Sequence, residues 1–164
     1  MAFDLQNLNA SSKFWYGRDK KEWVMFRLIP DDKLKELRKK CNIRMVTKPW
    51  TVKETRQTIV APAVSADQKD LDSFTGEQRD FHIENWHLED VNGNEIPCEK
   101  DNKLKLWGLE PQFENWADAC IQRLEWGEAK PGKEYIAYFD EEGTFHLRDA
   151  KQEEEGKTDT NTSL

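Results

Sequence analysis

An α+β fold, with an N-terminal β-hairpin or small antiparallel sheet packed against several short helices and a flexible C-terminal tail, follows from three features of the 164-residue sequence. Near the N-terminus two short apolar stretches flank a polar turn. Further along, apolar residues recur three and four apart. The last fourteen residues, KQEEEGKTDTNTSL, carry neither pattern. The chain is 35% charged and 37% hydrophobic with a mean hydropathy of -0.94, so its core is small and much of its length is solvated. One domain is expected at this length. It is placed at residues 14–126, after an N-terminal arm at 1–13 and before an extension at 127–149 and a disordered polar tail at 150–164.

The elements follow in order. Phe14 to Pro30, FWYGRDKKEWVMFRLIP, has two apolar stretches around GRDKK, with Gly17 available for the turn, and reads as a β-hairpin. In its second arm Trp23, Met25 and Arg27 share one face while Val24, Phe26 and Leu28 share the other. A strand apolar on both sides belongs to a covered sheet or an interface. Pro30 and Asp31-Asp32 open a helix, because proline fits the first turn and carboxylates answer the free amides there. Leu34, Leu37 and Cys41 form its apolar stripe, and Lys33, Lys35, Arg38, Lys39 and Lys40 its basic face. Ile43–Val46 is β-prone, Thr51–Ile59 reads as a strand or hairpin arm, and Ala61–Ala66 as a linker. Leu71, Phe74, Gln78, Phe81 and Asn85 lie near one side of a helix running to about Trp86, weakened at Gly76 to the point where two shorter helices fit as well. Asp90–Asn94 has turn chemistry around Asn92-Gly93. Glu99–Trp107 is a short helix. Pro111 starts another, with the clearest stripe in the chain: Phe113, Trp116, Ala117, Cys120, Ile121 and Leu124. Beyond a Gly127–Gly132 linker, Tyr135–Phe139 and Thr144–Leu147 flank Asp140-Glu141-Glu142-Gly143 as a hairpin.

No window approaches the roughly 18 apolar residues of a bilayer span, and the N-terminus lacks the basic start and apolar run of a signal peptide, so the expectation is a cytoplasmic protein with no membrane partner. Cys41, Cys98 and Cys120 are odd in number and far apart, as reduced core thiols are. The net charge of -7 is unevenly distributed: residues 18–56 hold thirteen Lys or Arg against six Asp or Glu, and residues 57–164 hold eleven against twenty-five. Such a split steers acidic partners to one end or lets copies of the chain associate. Without a recognised motif, and with the remainder repelling phosphate, the basic segment argues against nucleic acid.

The sequence carries no recognisable catalytic, cofactor-binding or metal-ligating set. His82 and His87 are five apart, whereas two ligands on one helical face need three or four. Cys98 has no neighbour in sequence that lowers a thiol pKa, and neither a Gly-rich phosphate loop nor G-x-S-x-G occurs. Residue chemistry therefore favours a binding protein over an enzyme. Seven tryptophans supply large apolar surfaces. Trp86, Trp107 and Trp116 sit in helical patterns and are assigned to the core. Trp15, Trp23, Phe26 and Trp50 are the candidate partner-binding residues, with Arg38, Lys39 and Lys40 contributing electrostatically.

The block Asn85-Trp86-His87-Leu88-Glu89-Asp90-Val91-Asn92-Gly93-Asn94-Glu95-Ile96-Pro97-Cys98-Glu99-Lys100-Asp101-Asn102-Lys103-Leu104, within Phe81–Leu124, resembles a segment of the tail assembly chaperones of long-tailed bacteriophages: a helix ending in Trp, an acidic Asn-Gly turn, a proline, then a short helix. The upstream hairpin with Trp23-Val24-Met25-Phe26-Arg27 and the Pro30-Asp31-Asp32 helix agree, so the resemblance covers residues 14–126. Asn85 stands where the family usually has Asp, and residues 127–149 lie beyond the match. The resemblance implies a non-catalytic protein of the infected bacterial cytoplasm. It would bind the tape measure protein, keep it soluble, help recruit major tail protein to the growing tube, and self-associate around its substrate. In such families a frameshifted longer form is often made. A structural tail or head-tail connector subunit, and a small acidic protein that binds a host protein, are the alternatives.

Overall fold

The computed structural model describes residues 10–151. In chain order the elements are β1 (Ser12–Tyr16), β2 (Trp23–Phe26), α1 (Asp31–Lys40), β3 (Arg44–Thr51), β4 (Thr58–Ser65), α2 (Gln68–His82), β5 (Ile83–His87), α3 (Lys100–Leu109), α4 (Pro111–Glu125), β6 (Glu134–Phe139) and β7 (Phe145–Asp149). They form an α+β fold with a five-stranded and a two-stranded sheet. Residues 30–78 make up one compact unit, and the chain on either side of them makes up the other.

The larger unit is built on a sheet of order β5-β2-β1-β6-β7. Strand β1 pairs antiparallel with β2, setting Trp15 opposite Trp23, and parallel with β6, setting Phe14 beside Tyr135. Alternation along β1 and β2 turns Phe14, Val24 and Phe26 inward, each with no exposed surface, where they meet Trp107 of α3 and Phe113, Trp116 and Leu124 of α4 in one cluster. The α4 stripe is buried at all six positions. Burial of each large member contributes about 1.5–3 kcal/mol. Buried indoles need acceptors, and each has one: Trp86 Nε1 donates to the Ile96 carbonyl at 2.8 Å, Trp107 to Asp118 Oδ1 at 2.9 Å and Trp116 to the Ala137 carbonyl at 2.9 Å. Lys103, only 8% exposed, donates through Nζ to Asp80 Oδ1 and to the carbonyls of Asp80 and Ile83 at 2.9–3.1 Å. A buried ammonium is tolerable only when paired in this way.

In the smaller unit α1 starts after Pro30 with Asp31 and Asp32 in its first turn, and Asp32 accepts from the Lys33 amide at 2.9 Å. Leu37 and Cys41 are buried, while Leu34 is partly exposed. Strands β3 and β4 form a hairpin in unbroken register from Arg44↔Ser65 to Thr51↔Thr58, closed by a Val52 N–H to Gln57 carbonyl bond of 2.9 Å.

Several sequence expectations are corrected. The N-terminal hairpin is antiparallel as expected, and β6 then joins β1 in parallel, so the five-stranded sheet as a whole is mixed. Residues 127–149 are not an extension of a domain closed at Trp126: β6 is an inner strand of the sheet, with Tyr135, Ile136 and Ala137 buried. Ser12 and Lys13 belong to β1 rather than to an N-terminal arm; residues 1–9 lie outside the described residues. Trp86 sits on β5 and not on a helix. Thr51–Ile59 is largely the turn between β3 and β4, and Ala61–Ala66, expected as a linker, lies mostly in β4, whose Pro62 stands in the ladder opposite Thr47. Of the expected tail, Ala150 is buried and Lys151 exposed, and 152–164 lie outside the described residues.

Candidate functional site

The candidate partner residues separate into three environments. Trp15 and Trp23 are adjacent on the sheet face opposite the core, both partly exposed. The Lys13 ammonium lies 4.9 Å from the Trp15 ring centroid and 4.4 Å from that of Trp23, close enough for cation–π attraction. Glu134 accepts from the Trp15 indole N–H, and His87 stacks on Trp23 at 6.4 Å. These contacts hold both indoles in place at the surface, which limits the rotamer entropy a partner must remove. Phe26 is corrected: it has no exposed surface and packs edge-on to Phe14 at 5.7 Å and to Trp107 at 5.9 Å, so it is a core residue. Alternation alone does not say which apolar face of β2 turns inward. Arg38, Lys39, Lys40 and Trp50 lie in the unit formed by residues 30–78. There Trp50 is 51% exposed, and Lys40 reaches Glu77 at 3.3 Å. The structure thus brings Trp15 and Trp23 together, and Arg38 with Lys39 and Lys40 on one helix.

A feature with no sequence signal of its own is a groove of about 920 Å³ between α4 and the β6–β7 hairpin. Tyr16, Trp116, Ala137 and Phe145 give it an apolar floor, and Gln112, Asn115 and Gln122 line its α4 side. Its charged side chains are already engaged: Asp118 accepts from Trp107, while Arg123 pairs with Glu128 at 3.0 Å and lies 5.1 Å from the Phe145 ring centroid. At one end Arg18 donates to the Tyr138 hydroxyl at 2.6 Å and lies over its ring. Burial, with help from Glu22 and Glu110, raises the Tyr16 pKa, keeping that phenol neutral. The polar face of α4 and the aromatic residues of the last hairpin were each visible in the sequence, but not that they face each other.

Burial pushes the Cys120 thiol well up and raises that of Cys98, which disfavours the thiolate a nucleophile needs. His82 is shifted down, chiefly by burial, against the opposing effect of its Nδ1 contact with the Arg27 carbonyl at 2.7 Å. Among the described residues no group of three or more His, Cys, Asp or Glu is placed to hold a metal ion, and no helix is long and apolar enough to cross a membrane. No protein-family model matches the chain, and no curated protein or solved structure matches it either.

Proposed function

We propose that this protein is a non-catalytic tail assembly chaperone of a long-tailed bacteriophage, acting in the cytoplasm of the infected bacterium. In this reading it binds the tape measure protein, keeps it soluble and assists recruitment of major tail protein. The observation that carries the reading is the groove beside α4. An amphipathic helix seats its apolar stripe in an apolar groove and its flanks against polar rims. Tyr16, Trp116 and Phe145 supply the floor for such a stripe, and the amides of Gln112, Asn115 and Gln122 supply uncharged rim partners. Arg123 is paired with Glu128, while Asp118 keeps its negative charge beside the neutral Trp107 indole, so the groove makes few charge demands on its guest, which suits a long helical substrate of varied sequence. The Trp15–Trp23 pair offers a second anchoring surface in the same unit, and the high surface charge keeps a complex soluble.

Co-expression with the tape measure protein tests the proposal. Soluble tape measure protein should appear with the wild-type chain and be lost with Ala119→Trp, which fills the groove from the partly exposed side of α4. Insoluble tape measure protein in both cases overturns the chaperone reading. Recovery of the chain from finished virions makes it a structural subunit instead.

A further inference from the structure

The β3–β4 hairpin presents one side without a single charged residue. The register sets Met45 opposite Val64, Thr47 opposite Pro62, Pro49 opposite Val60 and Thr51 opposite Thr58, and directly opposed residues project to the same side of a two-stranded sheet. All eight are exposed, Val60 to 71%, Met45 to 53% and Val64 to 50%. Arg44 and Lys48 fall on the intervening pairs, facing the other way, and Lys53, Glu54 and Arg56 lie in the turn. In a chain that is 35% charged this is an exception, and a two-stranded hairpin is marginally stable until something packs on it.

The prolines indicate how it is covered. A proline leaves an antiparallel ladder intact only at a pair whose N–H groups would point away from the partner strand. Pro49↔Val60 and Thr47↔Pro62 are two residues apart and so of the same class. Each proline therefore removes an outward donor from its own edge, on β3 and on β4. Both edges are blunted against strand addition, and face-to-face packing remains.

We infer that this side of the hairpin packs against the same side of a second copy of the chain, giving a four-stranded, two-layer sandwich about a two-fold axis. A two-fold contact requires a patch complementary to itself, and a charge-free ladder meets that requirement because no like charges come into opposition. Arg44 and Lys48 point away from the junction. Eight residues at about 3.4 Å each, on strands about 5 Å apart, give a patch of about 300 Å² per copy. That is well short of the roughly 800 Å² per partner of a standard interface, so the dimer forms with concentration and dissociates on dilution. The inference does not depend on the chaperone reading.

Sedimentation velocity of the full chain from about 1 μM to about 1 mM reads it directly, with monomer at the low end and dimer at the high end. Val60→Asp should weaken association at least about tenfold, since it buries an unpaired carboxylate, whereas Ile59→Asp, exposed on the opposite side, should leave it unchanged. Thr47→Cys should give a disulfide-linked dimer on mild oxidation and Lys48→Cys should not; this pair decides the matter even where an aspartate variant unfolds the hairpin. Monomer across the whole range, equal loss from both aspartate variants, or equal cross-linking from both cysteines overturns the inference. None of these readouts involves the tape measure protein, so failure here is separate from failure of the chaperone proposal.

Discussion

The two units place the same kinds of side chain in opposite settings. In the sheet unit Trp86, Trp107 and Trp116 are no more than 2% exposed, and each indole N–H has an acceptor inside the unit. In the unit formed by residues 30–78, Trp50, Met45, Ile59, Val60 and Val64 are half exposed or more. Both units contain paired strands, so strand formation does not decide burial. A second layer does: α3 and α4 pack on one face of five strands, whereas β3 and β4 pair only with each other.

The contrast is sharpest at tryptophan. Trp116→Ala should cost about 3–5 kcal/mol in urea denaturation, because it opens a cavity among Tyr16, Phe26 and Phe113. Lys103→Ala should cost about 1–3 kcal/mol, since it strands Asp80 and two carbonyls that Nζ now satisfies. Gly93→Ala should cost about 1 kcal/mol, and for a purely conformational reason: φ is +81° and nothing lies within 4 Å of the added carbon. Acidification acts next. The His82 pKa is lowered in the fold, so the unfolded chain takes up that proton first. The stability His82 confers is complete above its ordinary pKa of about 6.5 and falls as pH drops through that value towards the lower folded one. His82→Gln should flatten the stability profile in that window. Asp140, held low by His146 and by the Thr144 and Glu142 amides, contributes loss only in still more acidic solution. Trp50→Ala should shift stability of the dilute protein by no more than about 0.5 kcal/mol; a loss comparable to that of Trp116→Ala would erase the distinction between the units.

What the sequence discloses follows from range. The α4 stripe and both short hairpins, β1–β2 and β6–β7, depend on neighbours within a few turns or one tight loop, and their patterns are complete in the sequence. The union of β1 with β6 joins Phe14 to Tyr135 across most of the chain, and no periodicity encodes it. Strand β5 is disguised because Ile83 and Trp86, three apart, match a helical stripe; a register shift between Met25 and Phe26 lets both point inward from a strand. The β3–β4 ladder is hidden by Pro49 and Pro62, which punctuate the sequence as a linker would, although at outward-facing pairs they are compatible with a strand. Of the candidate partner residues, Trp15, Trp23 and Trp50 do reach the surface. Phe26 does not, because β2 is apolar on both sides. The groove eluded sequence reading altogether, since its two walls come from elements whose facing is a tertiary event.

Strands β2 and β5 are antiparallel neighbours, and the chain leaves one and re-enters the other at nearly the same point, where the Arg27 amide donates to the His82 carbonyl at 2.9 Å. Arg79 and Asp80 are tied to the scaffold through Glu114 and Lys103, and the rest, residues 30–78, is topologically a loop on a hairpin. Loop closure grows only slowly more costly with length, so shortening or lengthening this stretch should leave the stability of the surrounding scaffold nearly untouched.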